Sequence, residues 1–153
     1  MHTENQTSPK KMLWAGRILS GVSAAFLLFD SIIHMTNIAP VVQAFTELGF
    51  PMRLALVLGI TELVCLVVHL NPRTSVLGAI LLTGYLGGAV AVQLRVGNPL
   101  FAQALFPVYM GILVWAGLYL RDPRLGALLF GAPARREGAR QLDAHPRAAA
   151  ARL

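Results

Sequence analysis

Four long apolar segments, separated by short polar connections, make up most of this chain. They cover residues 13–35, 52–70, 75–94 and 100–120. Each is close to the roughly 20 residues that an α-helix needs to cross the hydrocarbon core of a bilayer. The pattern therefore predicts an all-α fold, an integral membrane four-helix bundle.

The connections predict how these helices are joined. Residues 71–74 read Asn-Pro-Arg-Thr, a turn so short that the second and third helices must be antiparallel neighbours. The connection at residues 37–51 is longer, and its segment VVQAFTEL is predicted to form a short amphipathic or re-entrant element. Pro107 is expected to kink the outer part of the fourth helix.

Both ends of the chain are polar and without hydrophobic periodicity. Residues 1–10 and the basic tail at 131–153 are therefore predicted to be disordered, which leaves one transmembrane domain at 11–130. The ends and the 71–74 turn carry ten of the 13 lysines and arginines, against two beside the other connections. Because cytoplasmic segments collect Lys and Arg, both termini are predicted to be cytoplasmic.

The composition indicates lipid rather than water as the surrounding medium. Of the 153 residues 56% are hydrophobic and 13% charged, whereas soluble domains carry about 25% charged residues. The net charge of +6 follows membrane topology, so no nucleic-acid partner is expected. The single cysteine, Cys65, can form neither an intrachain disulfide nor a Cys-based metal centre.

Stripes of small residues in the first and third helices predict close helix contacts, because helix association in lipid depends on packing. The stripe of the first helix contains Gly16, Ser20 and Ser23 and continues to Asp30 and His34. On the third helix, one face is expected to admit a neighbouring backbone. Its small residues are Gly84, Gly88 and Ala91, with Gly87 at the border.

Ionisable side chains inside the predicted spans are the candidates for function, because each is costly to place in lipid. Asp30 and His34 are four residues apart on one helical face, and Glu62 lies near the middle of the second span. With Arg95 at the outer mouth, these groups could converge on one cavity. Pairing Asp30 with Arg95 would offset much of a penalty of about 2.5–3.5 kcal/mol per charge, while an unpaired Glu62 could stay protonated and donate a proton.

Asp30, Glu62 and His34 are therefore the candidate catalytic residues. The candidate pocket residues are Arg17, Gln93, Arg95 and Tyr109. In the alternative interpretation, such polar groups only join helices, and Arg17 extends to the cytoplasmic headgroups. No metal is predicted, because the Glu-x-x-His pairs of bundle metal sites are missing.

Several longer strings resemble one family. WAGRILSGVSAAFLLFDSIIHM, LGITELVCLV, RTSVLGAILLTGYLGGAVA and FPVYMGILVWAGLYLRDPRL are similar to the DoxX-like family of small bacterial membrane proteins, over about residues 11–130. The resemblance implies four spans in the bacterial inner membrane. It also implies recurrent polar positions at Arg17, Asp30, Glu62, Tyr85 and Arg95, so Tyr85 joins the pocket candidates. His34 stands where lysine or another polar residue is usual.

The resemblance also implies a connection with membrane redox systems, since the family is named for a subunit of a thiosulfate:quinone oxidoreductase. We expect a small component of a quinone-linked system in which Asp30 and Glu62 handle protons. It would contact a quinone or another hydrophobic small molecule. No covalently bound cofactor is expected. Because the chain has no cofactor motif of its own, a membrane or redox partner protein is expected as well. The alternative is a membrane-embedded acid–base enzyme, of isomerase or cyclase type, in which Glu62 protonates a lipophilic substrate. A non-catalytic binding or transport protein is the third class.

Overall fold

The computed structural model describes residues 9–122 and residue 125, and its regular structure there is entirely helical. The helices form one compact unit that ends at Arg121. They are α1 (Pro9–His34), α2 (Ala39–Glu47), α3 (Arg53–Leu70), α4 (Ser75–Arg95), a π-helical turn (Leu100–Ala104) and α5 (Phe106–Arg121). Except for Pro9 and Lys10, which belong to α1, both segments predicted to be disordered lie outside the described residues.

Four helical segments are long and apolar enough to cross a membrane, which confirms the predicted number of spans. They are Lys10–His34, Arg53–Leu70, Ser75–Arg95 and Leu100–Arg121. Large apolar side chains cover their outer surfaces, and Phe29, Val64 and Ile112 are each more than half exposed. A soluble monomer rarely exposes so large an apolar surface, whereas acyl chains would cover it.

The four long helices follow one another around the bundle in the order α1, α3, α4, α5. α1 packs on α3 and α5, and α4 packs on the same two helices, so α1 and α4 lie across the bundle from each other. The α3–α4 turn is closed by a hydrogen bond from Thr74 Oγ1 to the Val68 carbonyl, 2.8 Å long. This confirms that α3 and α4 are neighbours joined by a tight turn. We call this end of the bundle the turn end, and the opposite end, which carries α2, the α2 end.

The closest helix contacts are made at glycines. A Cβ atom at Gly16 would lie 2.8 Å from Leu120 Cβ, and one at Gly117 would lie 2.6 Å from Ser20 Oγ. A Cβ atom at Gly78 would overlap the backbone of His69. The predicted contact stripe of α1 is therefore confirmed at Gly16 and Ser20, where it packs on α5.

The predicted contact face of α4 is wrong. A Cβ atom at Gly84, Gly87 or Gly88 would meet no atom within 4 Å, so no helix packs there. The buried face of α4 instead consists of other residues, among them Leu82 and Leu86. Aliphatic side chains fill the space between helices here, and the glycines are left on a different side.

Short elements cover the α2 end. The segment predicted as a short element forms α2, whose Val41 and Phe45 are buried in a cluster with Ala55. The fourth span begins with the π-helical turn, in which Leu105 N donates to the Leu100 carbonyl at 2.8 Å. Pro107 follows in the first turn of α5, where a missing N–H leaves no intrahelical acceptor unpaired. The break in this span thus precedes Pro107.

Candidate functional site

A cavity of about 600 Å³ lies between the helices in the α2 half of the bundle. Residues of α1 to α5 contribute to its wall, and most of them are apolar, including Phe26, Leu58, Ala89, Phe106 and Met110. Both its volume and its apolar walls are typical of small-molecule sites. The cavity is large enough for a ring system with a short apolar chain.

Three ionisable groups meet on its wall because α1 packs on α3. Asp30, His34 and Glu62 each offer an atom within 4.8 Å of the others. Glu62 is fully buried, and Tyr85 of α4 donates a hydrogen bond to its Oε2 at 3.3 Å. Its other oxygen, Oε1, has no hydrogen-bond donor among the described residues. Glu62 thus lies on the cavity wall with one carboxyl oxygen that no described donor contacts.

Asp30 and His34 are connected within α1. His34 Nδ1 donates to the Asp30 carbonyl oxygen at 2.8 Å and lies 3.4 Å from Asp30 Oδ2, as expected for residues four apart on a helix. The His34 ring also lies against the edge of Phe45 of α2, with ring centroids 5.8 Å apart. The His34 side chain is 24% exposed and the Asp30 side chain 38%, whereas Glu62 is fully buried.

Arg95 does not form the expected pair with Asp30. Its Nη2 donates to the carbonyl oxygen of Leu48, and its guanidinium carbon lies 5.7 Å from the centre of the Phe50 ring. Arg95 is the last residue of α4, beside the α2–α3 connection, so it binds that connection instead of reaching inward. No Lys or Arg is among the described residues that line the cavity. Among the described lining residues, the His34 imidazole is thus the basic group beside Asp30 and Glu62.

The other pocket candidates separate into two groups. Gln93 lines the cavity and accepts a hydrogen bond from Asn98 Nδ2. Arg17 is exposed on α1 and Tyr109 is exposed on α5, where its hydroxyl donates to the Phe101 carbonyl at 3.3 Å. The structure brings together Asp30, His34, Glu62, Tyr85 and Gln93, and it leaves Arg17, Arg95 and Tyr109 outside the cavity wall.

Sequence reasoning missed two features of the wall. Gln103, in the π-helical turn, lines the cavity, and a polar side chain inside the fourth apolar segment was the available signal. Phe26 and Phe106 form an edge-to-face pair with ring centroids 5.2 Å apart. Their positions in the sequence do not distinguish them from phenylalanines that face lipid. Their contact therefore could not be predicted from the sequence.

A metal ion is the other species that this cluster could hold. Two carboxylates and an imidazole suit several divalent transition metals. The described residues offer three ligands, one fewer than a closed tetrahedral site. Dinuclear sites in helical bundles use more carboxylates. The absence of a metal site stays a prediction.

His69 and Cys65 belong to the packing of the bundle and do not line this cavity. His69 is buried near the turn end, where its Nδ1 donates to the Ser75 carbonyl at 3.0 Å. Cys65 is buried as a free thiol. The cavity chemistry is therefore confined to the α2 half of the bundle.

Residues 18–117 match the model of the DoxX-like family. This range includes every polar residue named above on the cavity wall. The chain belongs to the DoxX-like family. No curated protein and no solved structure matches the chain. For this DoxX-like membrane protein, the geometry of the cavity is thus the main guide to function.

Proposed function

We propose that this DoxX-like protein binds a lipophilic small molecule in its cavity and exchanges a proton with the molecule's polar head. One observation carries the proposal. An apolar cavity inside a membrane bundle ends at two carboxyl groups, Asp30 and Glu62, with no Lys or Arg among its described lining residues. Apolar walls select a membrane-dissolved ligand, and the carboxyl pair supplies directional polar contacts.

The carboxyl pair is suited to hold one proton. The two carboxyl groups offer oxygens within 4.8 Å of each other. Two full negative charges at that separation repel each other by about 3 kcal/mol or more even at an effective dielectric constant of 20. Two carboxylates that share a site relieve this repulsion by keeping a proton between them. Glu62 is the more buried partner and is the natural site for that proton. Asp30 then remains as the acceptor.

A pair with one proton can bind two forms of the same ligand. The protonated carboxyl donates to a carbonyl oxygen, and the ionised carboxylate accepts from a hydroxyl group. A quinone presents carbonyl oxygens and the corresponding quinol presents hydroxyl groups. This match favours a quinone-type ligand over a fatty acid or another anion, which the remaining negative charge of the pair would repel.

We therefore propose a small component of a quinone-linked redox system in the bacterial inner membrane. Reduction of a quinone consumes two electrons and two protons. The described residues include groups that can hold and pass protons, and a partner protein would supply or remove the electrons. The role of this chain is then to bind the ligand, to orient its head at Asp30 and Glu62, and to transfer protons.

The experiment is to measure binding of a short-chain benzoquinone and its quinol to the protein in lipid nanodiscs, using quenching of tryptophan fluorescence. Replacing Glu62 with Gln removes the carboxyl proton exchange while keeping the shape. A hydrogen bond to a charged group contributes about 1.5–3 kcal/mol. Glu62→Gln should therefore weaken binding of at least one form by about tenfold or more.

The matched control is Glu47→Gln. Glu47 is an exposed acid on α2 that accepts a hydrogen bond from Gln43 Nε2 at 2.9 Å and does not line the main cavity. This variant should bind both ligand forms like the parent. If the parent protein binds neither form, the proposed ligand class is wrong. If Glu62→Gln binds both forms as well as Glu47→Gln does, the proposed role of Glu62 is wrong.

The alternative of an acid–base enzyme uses the same groups. Glu62, held by the Tyr85 hydroxyl, would protonate one lipophilic substrate, and the nearby Asp30 would orient it. Such an enzyme would convert its substrate as a purified single chain, whereas a redox component would need its partner. Turnover by the isolated protein therefore separates these functions.

A further inference from the structure

The three unpacked glycines of α4 differ in their relation to the cavity. Gly84, Gly87 and Gly88 are all exposed, and a Cβ atom on any of them would meet nothing within 4 Å. Only Gly84 and Gly88 also line the cavity. At these two residues, the cavity wall consists of backbone alone, and the space beside it is open.

The neighbours of these glycines show on which side of α4 the cavity opens. Successive residues of a helix point about 100° apart. Thr83 accepts a hydrogen bond from Trp115 Nε1 of α5 at 2.9 Å, and Tyr85 faces Glu62 of α3. Gly88 lies one turn beyond Gly84, nearer the side of Tyr85. The opening is therefore on the α3 flank of α4.

The packing between α3 and α4 changes along their length. Near the turn end, Gly78 lies directly against the backbone of His69, so the helices touch there. Towards the α2 end, both helices contribute to the cavity wall: α3 with the half-buried Leu54 and Leu58, and α4 with Gly84 and Gly88. The tight contact between the two helices at the turn end is thus followed, towards the α2 end, by residues of both helices that line the cavity.

We propose that the ligand enters the cavity laterally from the bilayer, between α3 and α4. Gly84 and Gly88 form the edge of this opening on α4. The inference rests on the proposed function for the identity of the ligand, but the opening can be tested without a ligand. Side chains larger than hydrogen at these two residues would narrow the passage. A lipid-dissolved molecule would then reach Asp30 and Glu62 without crossing the aqueous face.

The test is the rate at which a thiol inside the cavity is modified. Ala89 lines the cavity and is half-buried, so Ala89→Cys in a Cys65→Ala background introduces one accessible thiol. A lipid-soluble organomercurial should label this thiol faster than a charged, membrane-impermeant one. Adding Gly88→Leu should slow the lipid-soluble reagent about tenfold, and adding Gly87→Leu should change its rate less than about twofold.

The Gly87→Leu variant is the matched control because Gly87 is equally exposed and unpacked but lies off the cavity wall. Three results would overturn the proposed entry: equal labelling by the charged reagent, equal slowing by both leucines, or no effect of Gly88→Leu. Labelling needs no quinone. A protein that binds no quinone but shows the expected labelling would retain the entry and lose the proposed ligand.

Gly88→Leu should also slow association of the short-chain benzoquinone about tenfold, whereas Gly87→Leu leaves that rate unchanged. If labelling follows the expected pattern but both variants bind the quinone at the parent rate, the ligand uses another path and the proposed entry is wrong. Binding kinetics and labelling thereby report on the same opening through two different molecules.

Discussion

Glu62 is the residue whose burial depends most on hydrogen bonds from its neighbours. It is fully buried within a span that is long and apolar enough to cross a membrane, and one of its two oxygens has no donor among the described residues. The other oxygen depends on the Tyr85 hydroxyl. A buried acceptor that loses its donor costs about 1–3 kcal/mol. Loss of this single hydrogen bond should therefore lower the free energy of unfolding of the bundle.

Tyr85→Phe removes that hydroxyl and keeps the ring. We expect the variant to lower the free energy of unfolding by about 1–3 kcal/mol, because Glu62 Oε2 would lose its donor. Thermal unfolding in detergent measures this change. Tyr109→Phe is the control, since its hydroxyl donates at an exposed surface and its loss should change stability by less than about 0.5 kcal/mol. Equal effects of the two variants would contradict the importance of the Glu62 hydrogen bond.

At this scale, the sequence indicated which residues matter better than it indicated their partners. Asp30 and Glu62 stand out because they are carboxylates in apolar segments, and such residues rarely face lipid. The partner of Arg95 could not be read from the sequence. Whether it reaches Asp30 or the Leu48 carbonyl depends on the path of the α2–α3 connection, which residue types alone do not determine.

Among the helices, glycine has two opposite uses in this bundle. Gly16, Gly78 and Gly117 let backbones touch, whereas Gly84 and Gly88 leave space open. Both uses produce the same stripe of small residues in the sequence. The number and approximate bounds of the helices could be predicted from the length of the apolar runs, but the use of each glycine depends on the neighbouring helix.

Alanine at each kind of glycine should give different stabilities. Gly78→Ala places a methyl group onto the His69 backbone, which cannot move aside as a flexible side chain would. We expect it to destabilise the bundle by about 1–3 kcal/mol. Gly87→Ala meets nothing and should be neutral or stabilise by up to about 1 kcal/mol, because alanine favours helix. Thermal unfolding of both variants in one detergent makes the comparison, and a loss of stability in Gly87→Ala as large as that in Gly78→Ala would contradict it.

For the whole molecule, the asymmetry of basic residues predicts the orientation in the membrane. Ten of the 13 lysines and arginines lie in the chain ends and the turn between α3 and α4. Cytoplasmic segments collect such residues. The turn end should therefore face the cytoplasm, and α2 with the nearby cavity should lie towards the opposite side.

Reporter fusions test this orientation. Green fluorescent protein fused after Leu153 should be fluorescent, and alkaline phosphatase at the same place should be inactive, because the phosphatase folds only outside the cytoplasm. Insertion of each reporter at residues 96–99 should give the reverse result. Active phosphatase after Leu153 would show that the prediction from charge is wrong.

The π-helical turn at Leu100–Ala104 carries a consequence for how this span tolerates changes in length. One i→i+5 turn holds an additional residue compared with a regular α-helix. Deleting one residue here would let α5 extend towards its N-terminus in uniform α-helical register and rotate the remaining residues of this first turn by about 100°. Pro107 and Met110 would keep their places on the cavity wall, while Gln103 would turn away from it. Removing a single amino acid would thus make the cavity wall less polar.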